Sequence, residues 1–349
     1  MIETGTLLAN PFVAAGDRAV FSYDVITLGE TMLRLTPPGT LRLEQTAVLE
    51  VAVGGSEANV AVGLARLGLR VAWLSRLTDN PLGRRIARTL AAQGVDVAHL
   101  VWTPEDRVGL YFFEPAPPPR GHRVLYDRRH SALSRMRPEE LPAALFQPQA
   151  ARLLHLSGIT PALGPAAAAT ARRAVELAKA AGWQVSFDVN YRRQLWTPEA
   201  ARQGCEPFLH AADLVFAPAS DVRLLFGLAA TASPQAVLEQ LAARYRQATL
   251  VLTLGREGAL AQAPSGERRQ QPALAAEAVE RLGGGDAFAA GFLYAYLTAP
   301  AAERLALALR WGVAMAALKY TIPGDLPLVE RHEVEALLAQ EGEGPALHR

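Results

Sequence analysis

Residues 153–189 read LLHLSGITPALGPAAAATARRAVELAKAAGWQVSFDV, and this stretch decides the fold. It starts with an apolar run at 153–156 and ends with another at 185–189, each of strand length. Between them, 165–181 carries a helical pattern. It opens on Pro165, which suits a first helical turn, and closes at Gly182, which suits a left-handed cap. The alternation continues outward, with strand-like runs at 25–28, 70–74, 214–216 and 249–254 and candidate helices at 56–67, 82–93 and 234–246. Strands alternating with helices through short links imply an α/β protein with a mainly parallel central sheet.

Two stretches break the rhythm. Residues 36–53 begin with Pro37-Pro38-Gly39 and carry no helical pattern, while 107–127 reads as strand, Pro-rich turn (Pro115 to Gly121) and strand. Together they are expected to form a small sheet covering the open edge of a site, as lids do. The last third turns helical at 286–297, 301–320 and 330–339. Residues 1–23 are expected to be a loose extension without a signal-peptide pattern, and 341–349 a flexible tail.

Composition removes several functions. Of 349 residues, 35 are Lys or Arg and 34 are Asp or Glu, so the net charge is +1. That balance argues against nucleic acid or an anionic membrane as partner, because both demand a concentrated positive field. Charged residues interrupt every long apolar run, so no stretch reaches the roughly 18 residues of a membrane span. The single Cys205 excludes an intrachain disulfide and a multi-thiolate zinc site, and a reducing, cytoplasmic location is expected. Only two lysines occur; Lys179 follows Ala178 and Lys319 follows Leu318, so no P-loop is present. A dinucleotide-binding glycine fingerprint after a strand is missing too, and His332-Glu333 lacks the second histidine of a zinc-protease helix.

Chemistry concentrates in three glycine-bearing segments. Leu282-Gly283-Gly284-Gly285-Asp286 leads into an apolar helix, where bare backbone N–H groups can converge on an anion at the positive helix end. Asp286 falls in the first turn, where that field favours its ionised form. It is placed to take a proton from an attacking hydroxyl; a plain glycine turn with Asp as N-cap reads the same residues without chemistry. Gly54-Gly55-Ser56-Glu57-Ala58-Asn59 opens another helix. Gly55 permits close approach of a ligand and Asn59 can donate to and accept from sugar hydroxyls, or it is a satisfied buried Asn. Thr253-Leu254-Gly255-Arg256-Glu257-Gly258 ends an apolar strand, as the floor of a nucleotide site or as a hairpin turn.

In order and separation these three segments resemble the ribokinase-like carbohydrate kinases over residues 24–338. Further segments resemble the 2-keto-3-deoxygluconate kinase branch: Gly29-Glu30-Thr31-Met32-Leu33-Arg34, Gly109-Leu110-Tyr111, Tyr126-Asp127-Arg128, His155 to Pro161, Asp188-Val189-Asn190-Tyr191-Arg192 and Leu318 to Asp325. The resemblance implies a three-layer α/β/α kinase domain over 24–340 with lid segments 36–54 and 106–128. It implies Asp286 as catalytic base, Gly283, Gly284 and Gly285 as anion hole, and Thr253, Gly255 and Gly258 at the nucleotide. Sugar-acid contacts carry over to Gly55, Asn59, Tyr111, Tyr126, Arg128, Ile159 and Arg192. An anionic sugar acid needs cations, and a guanidinium can bind its carboxylate in a fork.

The expected activity is transfer of the ATP γ-phosphoryl group, with Mg²⁺ and an optional monovalent cation, to the terminal hydroxyl of 2-keto-3-deoxygluconate. A neutral-sugar kinase and a non-catalytic binder are the alternatives, and a homo-oligomer is expected. Three departures from the family pattern stand out. Gly284 replaces Ala, Leu282 replaces Thr, and Pro218-Ala219-Ser220-Asp221 replaces Asn-x-x-Glu, leaving Asp221 as an indirect magnesium contact.

Overall fold

A computed structural model describes residues 21–343, so expectations for 1–20 and 344–349 lie outside the described residues. The stretch at 153–189 forms strand Ala151–Ser157, helix Pro165–Ala180 and strand Gln184–Asp188, the strands parallel with Leu154 opposite Val185.

In chain order the elements begin with β1 (Tyr23–Leu28), β2 (Met32–Thr36), β3 (Glu50–Gly54), α1 (Ser56–Arg66), β4 (Val71–Leu74), β5 (Arg76–Thr78), α2 (Pro81–Ala91) and β6 (Val101–Thr103). Next come β7 (Leu110–Glu114), β8 (Arg123–Asp127), β9 (Ala151–Ser157), α3 (Ile159–Ala162), α4 (Pro165–Ala180) and β10 (Gln184–Asp188). Then follow α5 (Pro198–Ala211), β11 (Leu214–Pro218), α6 (Ala219–Leu225), α7 (Pro234–Arg244) and β12 (Thr249–Thr253). The chain continues with β13 (Ala259–Gln262), β14 (Arg268–Gln271), α8 (Gly284–Thr298), α9 (Arg304–Tyr320) and α10 (Arg331–Glu343).

The large sheet has the order β14-β13-β12-β11-β10-β9-β1-β4. Its strands from β4 to β12 run parallel, and β13 and β14 add an antiparallel edge. Alternate residues face opposite ways. Val25, Leu153, Leu214, Phe216 and Val251 pack into one apolar cluster with α1, α8 and α9. Ile26, Leu154, Val185, Phe187 and Leu250 pack into the other, with α4, α5 and α7. These are the three α/β/α layers.

Helix α5 and the hairpin β13–β14 go beyond the sequence reading. Gly204 and Pro207 hide α5 from a propensity argument, but Thr197 caps its start and Pro198 fits its first turn. Gly204 is small because the Trp196 ring lies against it. A separate sheet of order β3-β2-β7-β8 combines the two stretches that broke the alternation. Its pairs are antiparallel except for parallel β2–β7. Among the described residues no helix is long and apolar enough to cross a membrane.

Phe292 of α8 is fully buried and meets Phe216 of β11 edge-on at 5.2 Å. Phe292→Ala should destabilise the fold by about 3–5 kcal/mol, read from the denaturant midpoint.

Candidate active site

Parallel strands end together, so Leu28, Ser157, Asp188, Pro218 and Thr253 mark one edge of the large sheet. Ligands of open α/β sheets bind at that edge. The first turns of α1 and α8 meet there. Asp286 Oδ1 accepts a hydrogen bond from Ser56 Oγ at 2.7 Å, and Oδ2 accepts one from Asn59 Nδ2 at 2.7 Å. Asn59 Oδ1 in turn accepts from the Gly55 N–H at 3.3 Å, which sets the amide's orientation.

The field of α8 was expected to keep Asp286 ionised; the balance is more complex. Burial raises its carboxyl above the ordinary value, while Asn59, Ser56 and the Arg192 guanidinium pull it back. Asp188, at the end of β10, is pushed up to about 8 by burial and by the nearby Asp286. Two carboxylates sharing a confined space cannot both ionise freely, so the pair titrates together.

The three glycines have different reasons for lacking a side chain. Gly283 adopts φ +76° and lies against the Asp325 backbone, so a Cβ there would be both strained and blocked. An added Cβ on Gly284 would strike the Tyr320 ring, which accounts for glycine at this position. Gly285 faces open space. The Gly284 N–H turns back to the Arg281 carbonyl at 3.3 Å, and that of Ala287 to Gly283 at 2.8 Å. The intervening N–H groups of Gly285 and Asp286 are therefore the donors that helix geometry leaves without an intrahelical acceptor. This narrows the expected three-glycine cradle to its last part.

Gly55 was read as room for a ligand. Its Cβ direction is instead filled by the Glu30 carbonyl and Thr31, so the close approach is between protein segments. Thr253 pairs with Pro218 across β12 and β11, and Gly255 (φ +62°) and Gly258 (φ +100°) shape the turn joining β12 to antiparallel β13. That segment is a hairpin turn as well as an edge of the strand ends. Ile159 is buried at the start of α3, its N–H on Ser157 Oγ at 3.2 Å.

Beside the strand ends lies a cavity of about 660 Å³. Tyr126, Arg128, Arg129, Arg192, Arg193 and Asp221 are among its lining residues. Four guanidiniums line it, which makes it receptive to an anion. Tyr126 is exposed there, and the Tyr111 ring lies behind it, tilted by 33° with ring centres 5.9 Å apart. Tyr111 itself is buried, with its hydroxyl beside Gly54 and Asp325, away from the cavity wall.

Arg128 is also buried, and both its Nε and Nη2 donate to Glu30 Oε2, the former at 2.7 Å. Its charge is therefore already matched by a protein carboxylate. Arg192 is exposed and has no salt-bridge partner among the described residues; its Nη1 donates to its neighbour's carbonyl, Tyr191 O, at 3.1 Å. It acts electrostatically on Asp188, Asp221 and Asp286.

No group of three or more His, Cys, Asp or Glu side chains arranged to hold a metal occurs among the described residues. Asp221 offers a carboxylate on the cavity lining, which fits a Mg²⁺ held largely by water and phosphate oxygens.

A second set of buried charges anchors the small sheet. Arg34 of β2 donates to both carboxylate oxygens of Glu280, one at 2.9 Å, and to Asp325 Oδ1 at 2.8 Å. Neither this network nor the Glu30–Arg128 pair was found by reading the sequence. Both sides of each contact were in quoted or neighbouring segments, but pairings across 98 and 246 residues leave no trace in one sequence.

The pfkB family carbohydrate kinase model matches residues 22–330, and the chain belongs to this family. Its fold is ribokinase-like, and the protein is a phosphotransferase acting on a sugar hydroxyl. A 2-dehydro-3-deoxygalactonokinase of Haloferax volcanii is 39% identical over 315 residues, covering 90% of this chain and 96% of the relative. A 2-dehydro-3-deoxygluconokinase of Thermoproteus tenax is 33% identical over 323 residues, covering 90% and 94%. The crystal structure of a 2-dehydro-3-deoxygluconokinase from Thermotoga maritima superposes with a TM-score of 0.84 at 33% identity, covering 91% and 98%.

Glu57, in the first turn of α1, is fully buried. Its Oε1 accepts from Ser157 N at 2.9 Å and from the Ser157 and Thr160 hydroxyls at 2.8 Å each. Burial raises its carboxyl, so the folded protein holds this proton where the unfolded chain has released it. Stability from Glu57 is thus fully present below the unfolded carboxyl pKa and declines as pH rises toward the folded one. Glu57→Gln, which mimics the protonated form, should flatten that decline; urea midpoints from pH 4 to 8 check it, and parallel curves for both proteins would refute it.

Proposed function

We propose that this kinase phosphorylates the terminal hydroxyl of 2-keto-3-deoxygluconate with ATP, giving 2-keto-3-deoxy-6-phosphogluconate. The observation that carries the reading is a carboxylate, Asp286, held at both oxygens in the first turn of α8 and acted on electrostatically by Arg192, which lines the arginine-bearing cavity. In this reading Asp286 accepts the proton of the attacking hydroxyl. The Gly285 and Asp286 N–H groups and the helix dipole stabilise charge on the transferring phosphoryl group. When bound with the nucleotide, Mg²⁺ supplies charge neutralisation at the phosphates. Thr253, Gly255 and Gly258 lie at the nucleotide, with Asp221 reaching the metal through water.

Arg128 and Arg192 hold the sugar-acid carboxylate, and Arg192 is the principal contact because Glu30 already matches Arg128. Asn59, Tyr126 and Ile159 complete the sugar pocket, while Gly55 and Tyr111 support it from behind, Gly55 by letting Glu30 and Thr31 pack close and Tyr111 by lying beside the Tyr126 ring. Residues 36–54 and 106–128 act as its lid. The galacto epimer is the second reading, favoured by the 39% identity to the Haloferax relative of that name.

ADP release is to be measured with 2-keto-3-deoxygluconate, its galacto epimer, gluconate, fructose and ribose. Turnover is expected on the keto-deoxy acids alone. Asp286→Asn should lose about 10²–10⁴-fold in kcat. Arg192→Gln should raise KM for the acid roughly 10- to 100-fold, the loss of one charge-assisted hydrogen bond. Turnover confined to fructose or ribose would discard the carboxylate clamp, and binding without turnover would point to a non-catalytic protein.

The small sheet exposes Val51 and Leu125, apolar groups that support a homo-oligomer joined there. Sedimentation equilibrium should report a multiple of 37.4 kDa, and a monomer at all concentrations would overturn it.

A further inference from the structure

We propose that Ser56 and Asn190 are positioning residues for Asp286: the Asn190 amide fixes the Ser56 hydroxyl, and that hydroxyl holds one oxygen of the carboxylate. The proposal rests on Asp286 being the base. Asn190 Nδ2 donates to Ser56 Oγ at 2.6 Å, and Ser56 Oγ donates to Asp286 Oδ1 at 2.7 Å. A serine hydroxyl carries one hydrogen. Accepting from Asn190 leaves that hydrogen to point at Asp286, so the direction of the chain follows from chemistry.

Asn190 sits at φ +39°, one of two non-glycine residues with positive φ among the described residues. Such a conformation persists where its surroundings over-determine it. Here two bonds do so. The Asn190 backbone N–H donates to Asp188 Oδ1 at 2.9 Å while its side chain reaches Ser56. Ser56 and Asn190 are 8% and 7% exposed, so water does not readily replace either contact. With Asn59 on Oδ2, each carboxylate oxygen has one fixed donor and keeps a lone pair for an incoming hydroxyl proton.

The charged groups around Asp286 come from three elements. Arg192 and Asp188 belong to the β10 end, Lys319 to α9, and Asp325 to the loop after α9. Arg192 favours the ionised base and Asp325 opposes it. The Ser56 hydrogen bond adds to the favourable side.

The test uses the whole protein with ¹³C at aspartate Cγ, the Asp286 resonance being identified by its loss in Asp286→Asn. Ser56→Ala should raise the midpoint of the Asp286 titration by about one pH unit. Asn190→Gly tolerates the left-handed backbone and removes only the amide, so it should move the midpoint the same way by less. The double variant should match Ser56→Ala, because Asn190 acts through Ser56. Ser56→Thr should restore the wild-type midpoint. An unmoved midpoint in Ser56→Ala, or additive shifts in the double variant, would overturn the proposal. This readout needs no substrate, so its failure is separate from a failure of the sugar panel. On an accepted sugar, the acid limb of kcat against pH should shift with the same variants, and unshifted limbs would count against the relay.

Discussion

Two helix N-termini must converge over one edge of the parallel sheet, and the hydrogen bonds from Ser56 and Asn59 to Asp286 are where they do so. Orphan N–H groups and a positive dipole end make each terminus receptive to negative charge. Bringing both to one carboxylate requires α1 and α8 to pack closely along their length. Gly63 of α1 lies against Ala290 of α8, and Gly291 lies against the Trp311 carbonyl of α9. A larger residue at either place would push the helices apart and displace the turn that carries Asp286.

Buried charge holds the rest of the site to that centre. Arg34 ties the small sheet to Glu280 and Asp325, which flank the glycine turn before and after in the fold. The Asp325 backbone supports Gly283, so one ion-pair network spans sheet, turn and helix start. Desolvating these charges is costly, and hydrophobic replacements could match their stability. What the network adds is orientation, since Arg34 of β2 ties the small sheet to the loops that precede α8 and follow α9. The Glu30–Arg128 pair does the same for the cavity wall. That pairing also changes the meaning of Arg128, which a sequence reading treats as a free cation.

The alternation of strands and helices, the two β excursions and the glycine turn before Asp286 were legible because each rests on local periodicity and on residues with special backbone freedom. Helix α5 escaped because Gly204 and Pro207 weaken local preference, and the reason for Gly204, the Trp196 ring lying against it, is visible only in the fold. Gly55 and Gly284 were legible as glycines but not in purpose. Their missing side chains make room for the Glu30 carbonyl and the Tyr320 ring, groups brought there by the fold.

By itself, then, the sequence determined the α/β class, the helix that carries Asp286 and the family pattern of its motifs. These follow from local spacing, which survives in one dimension. Only the tertiary structure decided that Ser56 and Asn59 meet Asp286 with Asn190 behind Ser56, that Glu30 pairs with Arg128, and that Arg192, without a salt-bridge partner among the described residues, acts on the carboxylates electrostatically. Those outcomes depend on which distant groups share a small volume of low polarity. There a charge must find a partner or change its protonation, and no spacing rule specifies the partner.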